Sequence, residues 1–322
     1  MTSIRSAWLV AMLLALFGAA ASAQPYPNRP IRLVVGFTPG GGTDIMARLI
    51  ASKLPDVLGQ PTVVENRPGA ATNIANEMVA RAAPDGYTLL VCTSVVAINM
   101  ALYKKLPFDT VRDFAPVSLF ADAPNVLVVY NGVPARTVEE LVALARAKPG
   151  ALNYSSAGSG TSQNMSGELF KLRTGAKIVH VPFKGTAPSL TAVMGGDVEM
   201  SFANIPAILQ HVKAGRLRPL ALSGDRRSEL MPDVPTMTEA GVPDGAVGVW
   251  YGVLAPAGTP RPIVDTLSAA IIRIAHSPEM KQRLAEQGAE AVGSTPEEFG
   301  KLLREEVARW TEVVNAAGLR VE

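Results

Sequence analysis

The 322-residue chain holds one cysteine, Cys92, and three histidines. Oxidising compartments exploit cysteines in pairs, so a lone thiol excludes an internal disulfide. Cys92 lies in the apolar run Tyr87–Thr93, where a buried thiol is expected rather than a nucleophile. His180, His211 and His276 are scattered without the spacing that would put two on one helix face, which argues against a metal site. Charge is sparse as well: charged residues make up 18% and the formal net charge is +2, with no basic stripe. Nucleic acid is therefore not an expected partner. Aromatics are only 6%, but a hydrophobic content of 48% excludes a disordered chain. Beyond the N-terminus, no stretch is long and apolar enough to span a bilayer.

What is present begins with an export signal. Arg5 supplies a positive charge, Ala7 to Phe17 form an apolar run, and Gly18 to Ala23 are small residues. The run falls well short of the roughly 20 residues that a membrane anchor needs. Ala21-Ser22-Ala23 is an A-x-A cleavage site, so residues 1–23 are expected to be removed, leaving Gln24 as the mature N-terminus. The remaining chain of about 300 residues suggests two domains.

Strand, turn and helix alternate along it. Ile31–Phe37 is a short β-branched run, followed by a Pro-Gly cluster and then apolar residues at helical spacing from Thr43. Thr62–Glu65, a helix over Asn73–Ala83 and the strand Tyr87–Thr93 repeat the unit. Strands are expected next at Phe114–Phe120, Asn125–Tyr130, Asn153–Ser156, Ile178–Val181, Met200–Ala203, Leu217–Leu222 and Trp250–Ala255, with helices between them. The pattern predicts an α/β chain whose sheets are mostly parallel and flanked by helices. No Gly- or Ser-rich linker divides it, so two lobes would be joined by short strand crossings near Pro124–Val126 and Val247–Trp250. The expected partition is 24–125 plus 248–322 for one lobe and 126–247 for the other, with a ligand cleft at the carboxyl ends of strands.

Two turns between a strand and a helix carry the chemistry. One is Phe37-Thr38-Pro39-Gly40-Gly41-Gly42-Thr43-Asp44, the other Ser155-Ser156-Ala157-Gly158-Ser159-Gly160-Thr161-Ser162. Glycines let backbone approach a ligand, and free amides at a helix start favour an anion such as a carboxylate. The candidate ligand-binding residues are Phe37, Thr38, Gly40, Gly41 and Asp44 from the first turn. Ser156, Gly158, Ser159, Gly160, Thr161 and Asn164 come from the second, and Thr93, Ser94, Lys184 and Asn204 complete the set. Asp44 has a competing role in stabilising its helix start, Arg67 suits a surface turn as well as a carboxylate, and a solvated position is the default for Lys184. No G-x-G-x-x-G or G-x-x-x-x-G-K-[ST] is found, and no cofactor is expected. No G-x-S-x-G elbow, H-E-x-x-H or Cys-His pairing suggests catalysis.

Together the motifs resemble the Bug receptors, the TctC-like solute receptors of tripartite tricarboxylate transporters. The markers are Tyr26-Pro27-Asn28-Arg29-Pro30-Ile31, the Phe37–Asp44 turn, Glu65-Asn66-Arg67-Pro68-Gly69-Ala70 and Asp85-Gly86-Tyr87-Thr88-Leu89-Leu90. His180-Val181-Pro182-Phe183-Lys184-Gly185, Pro232-Asp233-Val234-Pro235-Thr236 and Ala255-Pro256-Ala257-Gly258-Thr259-Pro260 follow in order. The resemblance implies a two-lobed periplasmic-binding-protein fold, a type II-like clamshell, in the periplasm. It implies a small carboxylate as ligand, gripped by amides and hydroxyls of the two turns with waters bridging the rest, and transient docking on transporter membrane subunits by a monomer. Where the family often has His-Leu after the second turn, this chain has Asn164-Met165. A sensor kinase as docking partner, or an enzyme on the same scaffold, are the alternatives.

Overall fold

The computed structural model describes residues 26–319, with the exception of 225, 246 and 317. The expected signal peptide, 1–23, lies outside the described residues. β1 (Ile31–Val35) is buried along nearly its whole length, as a strand covered on both faces must be. It pairs in parallel with β2 (Thr62–Asn66) and β3 (Thr88–Thr93). β10 (Val249–Pro256) runs antiparallel between β3 and β4 (Phe114–Ala123), and the short β11 (Glu290–Ala291) closes the edge. The order is β11-β4-β10-β3-β1-β2.

The second sheet holds β5 (Asn125–Tyr130), β6 (Leu152–Ser156), β7 (Ile178–Pro182), β8 (Met200–Asn204) and β9 (Leu217–Leu222). Its order is β7-β6-β8-β5-β9, with β6 parallel to both neighbours and β5 antiparallel to both of its own. Both sheets are therefore mixed, not mostly parallel as the alternation suggests. The reason lies in how the chain changes sheets. Only Pro124 separates β4 from β5, so β5 enters its sheet without a crossover helix, and β10 arrives from the other body. Strand-helix alternation reports the crossovers within a sheet and is silent about strands that enter from outside it.

The helices are α1 (Gly42–Ala51), α2 (Leu54–Leu58), α3 (Asn73–Ala80), α4 (Val95–Leu102), α5 (Val138–Ala147) and α6 (Ser162–Thr174), followed by α7 (Thr186–Gly195), α8 (Ile205–Lys213), α9 (Arg261–Ala275), α10 (Pro278–Glu286) and α11 (Pro296–Ala316). Strand alternation sends side chains to opposite faces, and both faces of each sheet are covered. Leu33 and Val35 pack with Met46, Ile50 and Ile271, whereas Val34 packs with Val79, Phe299 and Leu303. In the second sheet Leu127 and Val129 meet Tyr154, Phe170 and Phe202, while Val126 and Val128 meet Val193 and Ile208.

α4 has no counterpart in the sequence reading. Its segment VVAINMAL is buried on nearly every side, so it lacks the one-sided apolar stripe by which a surface helix is recognised. The helix is enclosed because Ile98 and Leu102 pack with Met165 and Leu169 of α6 and with Trp310 and Val314 of α11. That cluster joins the two bodies. Asn125 fastens the connecting segments: its amide donates to Ser223 Oγ (2.9 Å), and its side chain donates to the Val247 carbonyl (2.7 Å).

Candidate functional site

The first turn follows β1. Gly40 has φ 80°, a left-handed conformation that glycine adopts without strain. Its N–H donates to Asp44 Oδ2 (3.0 Å), which also receives Arg48 Nε (2.9 Å). Asn66 Nδ2 bridges Asp44 Oδ1 (2.9 Å) and the Phe37 carbonyl (3.0 Å). Burial opposes ionisation of Asp44, but the bonds from Arg48, Gly40 and Asn66 and the Arg48 charge hold its carboxyl below the ordinary value. Asp44 thus ties the turn together from behind, and its oxygens are already engaged.

α1 begins with Gly41 as N-cap and has no side-chain cap. The first amides of a helix have no partner within it, and those of Gly42, Thr43 and Asp44 meet no acceptor among the described residues. All three residues are buried, so a helix start with its positive dipole end is held open inside the protein.

The second turn, after β6, is built the same way. Gly158 (φ 130°) and Gly160 (φ 78°) take conformations that favour glycine. Thr161 caps α6 by accepting from the Asn164 amide, and its hydroxyl donates to the Gly158 carbonyl (2.8 Å). Asn164 Oδ1 accepts from the Gly160 N–H (2.9 Å), and its Nδ2 donates to the Tyr154 hydroxyl (2.9 Å). Gln163 Oε1 accepts from the Ala157 N–H (2.6 Å). The amides of Ser162 and Gln163 remain open among the described residues.

The turns confront residues of the opposite body. A Cβ placed on Gly42 would collide with the side chain of Asn204, and one on Gly185 would collide with Thr38. The position of a Cβ on Gly41 lies 3.7 Å from Thr186 Cβ, and that on Gly160 lies 2.8 Å from Asn99 Oδ1. The surfaces around the first turn and around Gly185, Thr186 and Asn204 are thus in contact, and glycine permits the approach. Two buried side-chain oxygens at these contacts lack a partner, Thr38 Oγ1 and Asn99 Oδ1, and so does Ser94 Oγ just past the end of β3.

The structure brings Thr38, Gly41, Gly160 and Asn204 to this junction. Gly40 and Asp44 brace the first turn; Ser156, Gly158, Thr161 and Asn164 brace the second. Asn204 Oδ1 also caps α8 by accepting from the Ala207 amide. Thr93 is buried in β3 opposite Tyr251, and Ser159 is half-buried in its turn. Phe37 packs on the core of the first sheet. Lys184 is exposed, and Arg67 is exposed and pairs with Glu65. Cys92 is buried, which pushes its thiol well above its ordinary pKa.

Sequence reasoning missed Gln163, Thr186 and Asn99. Asn99 carried a signal, being a polar residue in an otherwise apolar run. Its Nδ2 donates to the Ala71 carbonyl (2.8 Å) and to Asn73 Oδ1 (2.7 Å). It thereby holds a turn in which Ala70, Ala71 and Thr72 all have positive φ, a conformation that side chains adopt only when their surroundings enforce it. Thr186 follows Gly185 in a third strand-to-helix turn, which a single glycine disguised.

Two α/β lobes with glycine turns and helix starts apposed across their junction define a solute-binding receptor of the periplasmic-binding-protein fold. The family model of the tripartite tricarboxylate transporter family receptors (TctC) matches residues 46–319, and the chain belongs to that family. It is 38% identical to BugT of Bordetella pertussis over 318 residues, 98% of each chain. Among solved structures it resembles R. palustris Rpa4515 with adipate, at TM-score 0.89 and 38% identity, covering 92% of this chain and 99% of that one. It also resembles MatC from Rhodopseudomonas palustris with bound malate, at TM-score 0.86 and 35% identity, covering 90% and 100%. The family is one of solute-binding receptors, not enzymes. No helix among the described residues is long and apolar enough to cross a membrane.

Proposed function

We propose that this receptor captures a small carboxylate between its lobes in the periplasm and delivers it to the membrane subunits of a tripartite tricarboxylate-type transporter. The supporting observation is the pair of buried helix starts, α1 and α6, whose first amides stay open where the lobes meet. Such amides, with the helix dipole behind them, bind anions without a cationic side chain. The adipate and malate held by two structural relatives fit this chemistry. The working lobes are 24–125 with 248–322, and 126–247, with the strand crossings near Pro124–Val126 and Val247–Trp250 as hinge. Residues 1–23 act as the export signal, removed near Ala23.

The test is calorimetric titration of the purified receptor with succinate, malate, adipate, citrate, glutamate and benzoate. At least one should bind with a dissociation constant on the order of micromolar and shrink the radius of gyration in small-angle scattering. If none binds, and none raises the melting temperature, the carboxylate reading fails. Intact-mass measurement of protein from the periplasm should place the N-terminus at Gln24.

A further inference from the structure

Thr186 opens α7 and is 7% exposed. Its Oγ1 accepts a hydrogen bond from Gln163 Nε2 (3.1 Å). The orientation of that amide is settled by its other end, because Gln163 Oε1 accepts from the Ala157 N–H at 2.6 Å. An amide that accepts at one end must present its donors at the other. Thr186 therefore meets Gln163 as an acceptor, and its own proton is turned elsewhere. Among the described residues, no acceptor takes that proton.

The hydroxyl stands at the junction of the lobes. Its oxygen lies 3.8 Å from the position of a Cβ on Gly41, the N-cap of α1. Through Gln163 it is bonded to the start of α6. Thr186 thus borders the first turn beside Gly41 and is bonded to the second through one side chain. Beside it, Thr38 packs against Gly185 with its hydroxyl buried and unpartnered.

We propose that Thr186 donates its hydroxyl proton to a carboxylate oxygen of the solute at the start of α1, and that Gln163 is the positioning residue that points this proton into the cleft. This rests on the carboxylate reading above. A hydroxyl whose lone pair is already occupied is a one-way donor, and donation to an ionised oxygen is stronger than to a neutral one. Thr186 then discriminates for an acceptor oxygen at that point and against an ammonium or amide N–H, which would face the hydroxyl proton.

The experiment uses the full mature receptor and whichever of succinate, malate and adipate binds wild type most tightly. T186V keeps the side-chain shape and removes the hydroxyl, both the proton and the acceptor for Gln163 Nε2; T186S keeps both. T186V should weaken binding at least tenfold with the free protein still folded, its melting temperature lowered by the loss of the buried acceptor for Gln163, while T186S stays within a few-fold of wild type. Q163E leaves Thr186 in place but offers an acceptor that draws its proton away, so it should also weaken binding at least tenfold. In the T186V background Q163E should cost clearly less, because no proton remains to redirect. Wild-type affinity in T186V, or equal loss in T186S and T186V, would overturn the assignment. If T186V alters the fold, unchanged binding by Q163E does so instead. Wild-type protein that binds none of the three acids overturns the carboxylate reading, and this inference with it.

Discussion

His180 Nε2 lies 2.7 Å from Ser156 Oγ, directly beneath the second glycine turn, and its ring stacks on Tyr154 with centroids 4.9 Å apart. Ser156 Oγ also accepts from the Gly158 N–H (3.1 Å), so the histidine is one bond removed from the turn backbone. Burial pushes His180 down from 6.5 to about 4; nearby Glu168 works in the opposite direction and Lys171 in the same one. The imidazole is therefore neutral in the folded protein throughout the pH range in which the unfolded chain takes up its proton.

The consequence is a loss of stability on acidification. The contribution from a neutral His180 is complete above the unfolded value of 6.5 and is lost as the pH falls from there towards about 4. Over that interval the unfolding free energy should decrease by roughly 3 kcal/mol. Urea unfolding at about pH 7.5 and about pH 4.5 measures it, and H180Q should flatten the dependence between them. An unchanged pH slope in H180Q would remove His180 as its source.

Gly42 and Asn204 make the second prediction. A Cβ on Gly42 meets only Asn204 among its nearest neighbours, and Asn204 belongs to the other sheet. Gly42 has ordinary helical backbone, so alanine costs its own lobe nothing. Asn204 cannot swing aside freely, because its Oδ1 caps α8, a bond worth about 1 kcal/mol. G42A should accordingly resist closure and weaken solute binding about tenfold, or roughly 1.4 kcal/mol. Small-angle scattering should show a larger radius at saturating solute. N204S keeps a capping oxygen on a shorter side chain, and the double variant G42A/N204S should recover most of the affinity.

Much of this arrangement is legible in the sequence. The two glycine turns announce themselves because backbone that must adopt positive φ, as at Gly40 and Gly160, demands a particular residue type. Strand cores read clearly too, since a strand buried on both faces is a continuous apolar run. What stays hidden depends on contacts between distant segments. The enclosure of α4 by α6 and α11 erases its amphipathic signature. Asp44 reads as a ligand candidate in sequence, whereas Arg48 and Asn66 occupy its oxygens. Lys184 stands beside a glycine turn and yet points to solvent, and Thr186, two residues on, is buried against Gly41. Sequence adjacency could not choose between them.

Asn164 supplies a third test. Its side chain braces the second turn by accepting from Gly160 and donating to Tyr154, whose hydroxyl in turn donates to Glu168 Oε1 (2.6 Å). In N164L the Gly160 amide and the Tyr154 hydroxyl would each lose a buried partner. The expected cost is roughly 2–4 kcal/mol in unfolding free energy, with weaker solute binding as the turn loosens. N164D would bring a second carboxylate towards Glu168 and should destabilise as well, more at neutral than at acidic pH. Equilibrium denaturation of both variants decides the matter.

Glu306 on α11 links two tryptophans. Its Oε2 accepts from Trp310 Nε1 (3.0 Å) and from Trp250 Nε1 of β10 (3.3 Å), and Arg309 pairs with its other oxygen at 3.4 Å. Trp310 is 1% exposed and belongs to the cluster in which α11 meets α4 and α6; Trp250 packs edge-on against Phe299. One carboxylate thus satisfies two indoles that water cannot reach, and it anchors α11 to the first sheet. E306A would strand both donors and should cost roughly 2–4 kcal/mol. E306Q retains a carbonyl oxygen for one or both indoles and should cost about half as much. Because α11 also contacts α6, loss of its anchor should loosen the seam between the lobes before the sheets unfold. Hydrogen exchange should show this as faster exchange in α4 and α11 of E306A, with β1 and β6 still protected. Uniform acceleration across both sheets would mean that Glu306 serves global stability alone.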